Sequence, residues 1–301
     1  MEAAPYRIGF LVGSCPSPTG KPRKNLNLLT MVRYGEEMYK LSMQEKEMYK
    51  RQMILSKWGD EKQLMLKSKS VLVVGAGGLG SPASINLALA GVGEIRICDY
   101  DIVEYSNLNR QTLHNKSKIG MNKALSAKET LEHYNENIKV NAFTDRLTAE
   151  NVSEIVGNAD VIIDCLDNFE TRFILNHYSI ERRIPIVYGS VWGFDGRISF
   201  INYPETPCLQ CIFEEAPSKE VFPIIGATAS VIGSLQAMEA IKYLAENGNV
   251  LKNKLLIWEG NTMSFRIYKL IINKNCVSCA KQREEDCKSE YAGIEQTETL
   301  F

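Results

Sequence analysis

The stretch VLVVGAGGLGS, residues 71–81, runs four apolar residues, three of them β-branched, into a group of glycines and then a serine. An apolar run closed by glycine reads as a strand buried in a parallel sheet, with Gly75, Gly77, Gly78 and Gly80 forming the loop that leads into the next helix. Glycine lets a backbone approach phosphate oxygens closely, and the N–H groups and positive end of the following helix attract the anion. That helix is SPASINLALAG, 81–91, with Pro82 in its first turn and Gly91 at its end. Asp99 stands 19 positions after Gly80, at the end of the strand EIRICD. An acid there accepts hydrogen bonds from ribose hydroxyls, so loop and acid together predict a nucleotide site.

A dehydrogenase and an ATP user share these features. They part at DYDIVEYSNLNRQ, 99–111, which sets Asn107, Arg110 and Gln111 just after the ribose acid, followed by Lys123 in GMNKA. A dinucleotide has two phosphates, both served by the loop, and leaves these amides and cations without a partner. A triphosphate supplies one, because guanidinium and ammonium groups stabilise the charge that develops on the α-phosphate and on departing pyrophosphate. Asp164 and Asp167 end the apolar strand in VIIDCLDN, 161–168. A carboxylate at the carboxyl edge of a parallel sheet lies at the ligand crevice and can hold the Mg²⁺ that bridges ATP phosphates. Asp167, the outer of the two, is assigned that role; Asp164 is either its supporting partner or a hydrogen-bonded strand end.

Outward from this core the pattern alternates strand and helix: a helix over Lys123–Tyr134, the strand IKVNAF, a helix near Glu150–Val156, the strand DVIIDCLD, a helix over Phe169–Arg182 and the strand IPIVYGSV. GRISFINY then reads as a half-buried antiparallel strand, and LLIWEG and SFRIYKLII flank Asn261-Thr262 as a hairpin, with the long helix SVIGSLQAMEAIKYLAEN before them. The fold class predicted is α/β: a doubly wound, Rossmann-like, mainly parallel sheet extended by antiparallel strands. Before it, residues from about Glu36 to Trp58 are helix formers without proline, and residues 1–42 carry Pro16, Pro18 and Pro22 among Ser, Gly and Lys as an extension.

With 45% hydrophobic and 24% charged residues and a formal net charge of −1 over 301 residues, the chain reads as an ordinary globular protein with no reason to bind nucleic acid or an anionic membrane. No apolar run approaches the roughly 20 residues a bilayer requires, and Ile8–Val12 is too short for a signal peptide, so a cytoplasmic location is expected. Four of the eight cysteines form two CxxC pairs, Cys208/Cys211 and Cys276/Cys279. In a reducing compartment that spacing points to metal, since four thiolates close a tetrahedral zinc shell; two disulfides are the alternative and need an oxidising one.

Taken in order, YKRQMIL (49–55), GAGGLGSPASINLALAGVG (75–93), DYDIVEYSNLNRQTLH (99–114), IGMNK (119–123), DCLDN (164–168), CLQC (208–211), VIGSLQAMEAIK (231–242) and CVSC (276–279) resemble the ThiF/MoeB/HesA family of sulfur-carrier adenylyltransferases. The resemblance spans about residues 43–280 and leaves 281–301 as a C-terminal tail. It implies condensation of the C-terminal glycine carboxylate of a small ubiquitin-like carrier, ending in Gly-Gly, with ATP to give an acyl-adenylate and pyrophosphate. It also implies a homodimer in which Arg51 reaches across from the second subunit to join Arg110, Lys123 and Asp167, with a sulfur-donor protein as a further candidate partner. Asp99 matches the ribose-binding acid, Asn107 and Gln111 the phosphate contacts, and the four cysteines the structural zinc site. Asp101 and Asn168, inside the same motifs, join the expected cofactor-binding set.

One feature departs from that pattern. Many members carry a cysteine in the loop before VIGSLQ, where this chain reads EEAPSKEVFPIIGATAS with Lys219 at the corresponding place. Adenylation needs no nucleophilic side chain, so the expected reaction stops at the adenylate. Cys15 and Cys287 read as tail cysteines, Cys98 and Cys165 as core, His114 as positional, and His133 and His177 as surface or packing residues. Competing readings are adenylation of a ribosomally made peptide, a nicotinamide oxidoreductase, and a scaffold that keeps the fold without activity.

Overall fold

The computed structural model describes residues 40–214 and 223–286. The described chain begins at a capping box: Ser42 Oγ accepts the Glu45 N–H and the Glu45 carboxylate accepts the Ser42 N–H. This satisfies donors that the start of helix α1 (Met43–Met48) would otherwise leave open. The helix-forming run expected to reach Trp58 is divided. It breaks at Tyr49, whose ring is buried against Gly91, and resumes only as α2 (Lys50–Met53). A third helix, α3 (Gly59–Lys67), is absent from the sequence reading.

The glycine-ended run is β1 (Ser70–Val74), followed by α4 (Gly80–Ala90) and β2 (Glu94–Cys98). Then come α5 (Lys123–Tyr134), β3 (Lys139–Phe143), α6 (Val152–Val156), β4 (Val161–Asp164), α7 (Phe169–Arg182) and β5 (Ile186–Trp192). The chain continues through β6 (Asp195–Ile201), α8 (Leu209–Ile212), α9 (Gly226–Leu244), β7 (Lys254–Glu259) and β8 (Ser264–Lys269). All eight strands form one sheet in the order β3-β2-β1-β4-β5-β6-β7-β8. The pairings from β3 to β5 are parallel and those from β5 to β8 antiparallel, as predicted. Asn261-Thr262 sits inside a four-residue loop, Glu259 pairing with Ser264.

Alternation along β1 decides the layers. Val71 and Val73 face a core built with α4, α5 and α9 through Ala83, Leu87, Ala127, Leu131 and Ile232. Leu72 and Val74 face the opposite core with Ile155, Val156 and Leu175 of α6 and α7. A strand covered on both sides has no polar face to show, which is why its sequence is a continuous apolar run. Sheet order reverses between β1 and β4, and the crevice at their carboxyl ends is the ligand position such a reversal creates. Among the described residues no helix is long and apolar enough to cross a membrane.

Candidate nucleotide site and cysteine cluster

At the crevice the four glycines divide into two kinds. A Cβ on Gly75, whose φ is +99°, would stand 2.7 Å from the Cys165 carbonyl oxygen, and one on Gly80 would stand 1.8 Å from the Gly75 oxygen. The turn itself demands glycine there. Gly77 and Gly78 differ. Their Cβ atoms would meet only Gln111 at 3.6 Å, or the Ala229 methyl at 3.3 Å and the Arg110 stem at 3.6 Å. The protein leaves room for a side chain at Gly77 and only a tight fit at Gly78, so Gly77 keeps the backbone open to something outside it, as a phosphate requires.

Those same distances place Arg110 and Gln111 over the loop. The segment holding them is fixed by local bonds: Asn107 Oδ1 accepts the Glu104 N–H at 3.0 Å, and Arg110 donates to the Ser106 carbonyl and to Asn109 Oδ1, both at 3.0 Å. Gln111 is buried and its Oε1 has no hydrogen-bond partner among the described residues. Asp99 accepts the Ala76 N–H on Oδ2 at 2.7 Å and the Asp101 N–H on Oδ1 at 2.9 Å. Burial raises its pKa, against the opposing pull of the Lys123 charge and these two N–H groups. Lys123, at the start of α5, is buried and donates to Asp101 Oδ2 at 2.9 Å. In this structure Asp101 is thus the lysine's counter-ion.

Across the crevice, Asp164 lies within the fold. It faces Arg172 Nε at 3.3 Å and accepts the Leu166 N–H at 3.1 Å, while burial raises its pKa. It is therefore a structural strand end, and the exposed carboxylate at this edge is Asp167. Asn168 caps α7 by accepting the Thr171 N–H at 2.9 Å. Arg172 escapes the sequence reading: it donates to the Leu166 carbonyl and to the Gly189 carbonyl at 2.8 Å, and lies over the Phe169 and Tyr188 rings. Its signal is helical spacing, since Arg172, Leu175, Asn176 and Ser179 form the buried stripe of α7.

Arg51 is exposed on α2 and is not brought to the loop within one chain. Its neighbour Gln52 donates to the Ala90 carbonyl, at the C-terminal end of α4. The glycine loop is at the other end, about 15 Å away at 1.5 Å per helical residue. Lys219, Cys15 and Cys287 lie outside the described residues. Cys98 and Cys165 are core residues as read, and His133 and His177 are exposed.

His114 is buried, between Ser126 Oγ at 2.8 Å and the Ala76 carbonyl at 2.9 Å. Burial, with Lys123 and Lys118 nearby, pushes its pKa down from 6.5 to about 4. The unfolded chain binds the proton first, so the stability this neutral ring confers is whole above pH 6.5 and is lost as pH falls towards 4. Urea unfolding at pH 7 and pH 5 is expected to show wild type losing stability relative to His114→Gln, by up to about 1.4 kcal/mol per pH unit.

The four cysteines converge. Their sulfurs lie within 4.8 Å of one another, with Cys208–Cys211 at 3.8 Å, Cys208–Cys276 at 3.6 Å and Cys211–Cys279 at 3.5 Å. All are free thiols, and the edge of a tetrahedron with Zn–S bonds of about 2.3 Å is about 3.8 Å, so the donor set fits zinc. Arg283 Nε donates to Cys279 Sγ at 3.5 Å and the same guanidinium reaches the Thr206 carbonyl, which braces the cluster from outside.

A switch-point crevice carrying a glycine loop, an acid at the end of the second strand and an amide-and-cation segment has the build of an α/β nucleotide-binding site. The model of the ThiF family matches residues 49–280, and the chain belongs to that family. It is 42% identical over 248 residues to the adenylyltransferase and sulfurtransferase MOCS3 of Culex quinquefasciatus, covering 80% of this chain and 57% of that protein. The MOCS3 of Anopheles gambiae is 41% identical over 249 residues, covering 80% and 56%. The chain thus spans little more than half the length of these relatives. A crystal structure of E. coli MccB with ATP superposes with a TM-score of 0.70 at 23% identity, over 77% of this chain and 73% of that one. PaaA superposes with a TM-score of 0.68 at 22% identity, over 78% and 77%. Both show the same fold.

Proposed function

We propose that the chain adenylates the C-terminal glycine carboxylate of a small ubiquitin-like sulfur-carrier protein. The observation that carries this reading is the seating of Arg110 and Gln111 over Gly78 and Gly77, the second of which the packing alone does not require to be glycine. In the reaction a carboxylate oxygen of the carrier attacks the α-phosphorus of ATP. A new O–P bond forms, the bond from the α-phosphorus to the bridging oxygen breaks, and pyrophosphate leaves with that oxygen. The loop N–H groups and the α4 terminus bind the phosphates, and Asp99 accepts from the ribose. Arg110, Lys123, Asn107 and Gln111 stabilise charge on the reacting phosphates. Asp167, an exposed carboxylate that accepts from Asn168 Nδ2 at 3.5 Å, would hold Mg²⁺, which would supply charge neutralisation on the phosphates. The partner subunit's Arg51 completes the cluster in a homodimer. Cys208, Cys211, Cys276 and Cys279 would hold zinc, which would serve structure by tying together the two segments that carry them.

The catalytic unit is assigned to residues 43–280, in a compartment reducing enough to keep those thiols available. The names of the relatives support adenylyl transfer. Exchange of labelled pyrophosphate into ATP tests it: exchange is expected with a Gly-Gly-ended carrier and not with peptides of ribosomal origin. Exchange with peptides alone, or with neither, contradicts the reading. Lys219→Ala is expected to retain measurable exchange, since no covalent step is assigned to that loop.

A further inference from the structure

We infer that His114 is a positioning residue that sets the Ala76 peptide, and with it the phosphate-facing edge of the glycine loop, in register with the ribose acid and the start of α5. This rests on the nucleotide-site reading above and states what a residue read from the sequence only as positional holds in place.

The geometry is a closed ring. The Ala76 N–H donates to Asp99 Oδ2 at 2.7 Å, and the Ala76 carbonyl faces His114 Nε2 at 2.9 Å. A carbonyl oxygen only accepts, so Nε2 carries the hydrogen and Nδ1 is left to accept from Ser126 Oγ at 2.8 Å. The Ser126 N–H donates to the Asn122 carbonyl at 2.9 Å, and Asn122 Nδ2 donates to the Asp99 carbonyl at 3.0 Å, which returns to the starting residue. Asn122 also caps α5 by accepting the Ala124 N–H at 2.8 Å, and the next residue is Lys123. Ala76, between Gly75 and Gly77, is therefore gripped at both its N–H and its C=O, which fixes the two peptide groups flanking it, and one tautomer of one side chain ties the loop to the helix that carries the lysine. Ala76, Ser126 and His114 are all buried. Burial also keeps the ring uncharged at neutral pH, so it acts by direction of its N–H and not as an added cation.

Two amide substitutions separate this role from packing. In His114→Gln the amide nitrogen reaches the place of Nε2 and can still donate to Ala76. In His114→Asn it reaches only the place of Nδ1, beside Ser126, and leaves the Ala76 carbonyl unpaired. MgATP affinity, measured without any acceptor, is expected to weaken about tenfold in His114→Asn and by no more than about threefold in His114→Gln. His114→Asn is expected to melt below His114→Gln because of the orphaned carbonyl, so affinities are compared at a temperature where both are fully folded. Wild-type affinity in His114→Asn, or equal weakening in both variants, overturns the inference. Should His114→Asn fail to fold, Ser126→Ala carries the test: the account requires roughly threefold weaker ATP binding there, and unchanged binding overturns it. Wild-type ATP binding is measured first and fails only if the nucleotide reading itself is wrong, so the two failures are distinct.

Discussion

Asp167→Ala is expected to lower ATP–pyrophosphate exchange by about a thousandfold, and Arg51→Ala by at least about a hundredfold, because each removes a charge from the place where the triphosphate is cut. Mixed after subunit exchange, the two inactive variants are expected to regain about a quarter of wild-type activity: random pairing makes half the dimers mixed, and each mixed dimer has one whole crevice out of two. The reason lies in where α2 is anchored. Gln52 ties it to the C-terminal end of α4, so the exposed Arg51 is held at the end of that helix away from the glycine loop of its own chain. In the proposed homodimer a whole crevice takes Arg51 from the partner subunit. Recovery measured against the fraction of mixed dimers checks this; no recovery from dimers shown to have mixed contradicts it.

Cys276→Ser is expected to yield protein with no bound zinc and a melting temperature lower by about 10 °C, a shift that corresponds to roughly 3–5 kcal/mol for a domain of this size. The cluster joins Cys208 and Cys211 to Cys276 and Cys279, segments 68 residues apart, so losing it frees a long loop as well as the metal bonds. Tyr203 donates to Asp286 at 2.8 Å and Arg283 reaches the Thr206 carbonyl, contacts that hold the C-terminal segment against the same patch. Metal analysis of wild type should find about one zinc per chain. A melting curve unmoved by the substitution, or wild type free of metal after preparation without chelators, contradicts the assignment.

What the sequence made legible follows from where burial leaves a pattern. β1 and β4 are covered on both faces and announce themselves as apolar runs, and α5 and α7 alternate with the period of a half-buried helix. α9 begins at Gly226, four residues before the apolar run suggests, because its first turn is small residues pressed against Asn109, Arg110 and Gly78, and small residues carry little periodic signal. The break at Tyr49 is equally hidden, since helix formers occupy both sides and a tertiary pocket at Gly91 takes the ring.

The candidate site's parts were legible where they are local: the glycine loop, Asp99 and the Asn107–Gln111 segment lie within one stretch and meet in space. Arg172 and the pairing of His114 with Ser126 were not, because each joins elements that only the folded sheet brings together. Asp101 sits beside the predicted phosphate lysine, and only the geometry shows that it pairs with Lys123. Arg51 rested on resemblance alone, and a single chain gives it no phosphate to meet.

The central claim is that side chains just beyond the ribose acid seat a triphosphate. Competition binding to the wild-type protein tests it most directly, with a fluorescent ATP analogue displaced by MgATP, AMP or NAD and the titration repeated in Arg110→Ala. The account predicts that MgATP displaces the probe far better than AMP or NAD and that Arg110→Ala erases most of the gap between ATP and AMP. Displacement by NAD at lower concentration than ATP, or an unchanged ATP-to-AMP ratio in Arg110→Ala, contradicts it.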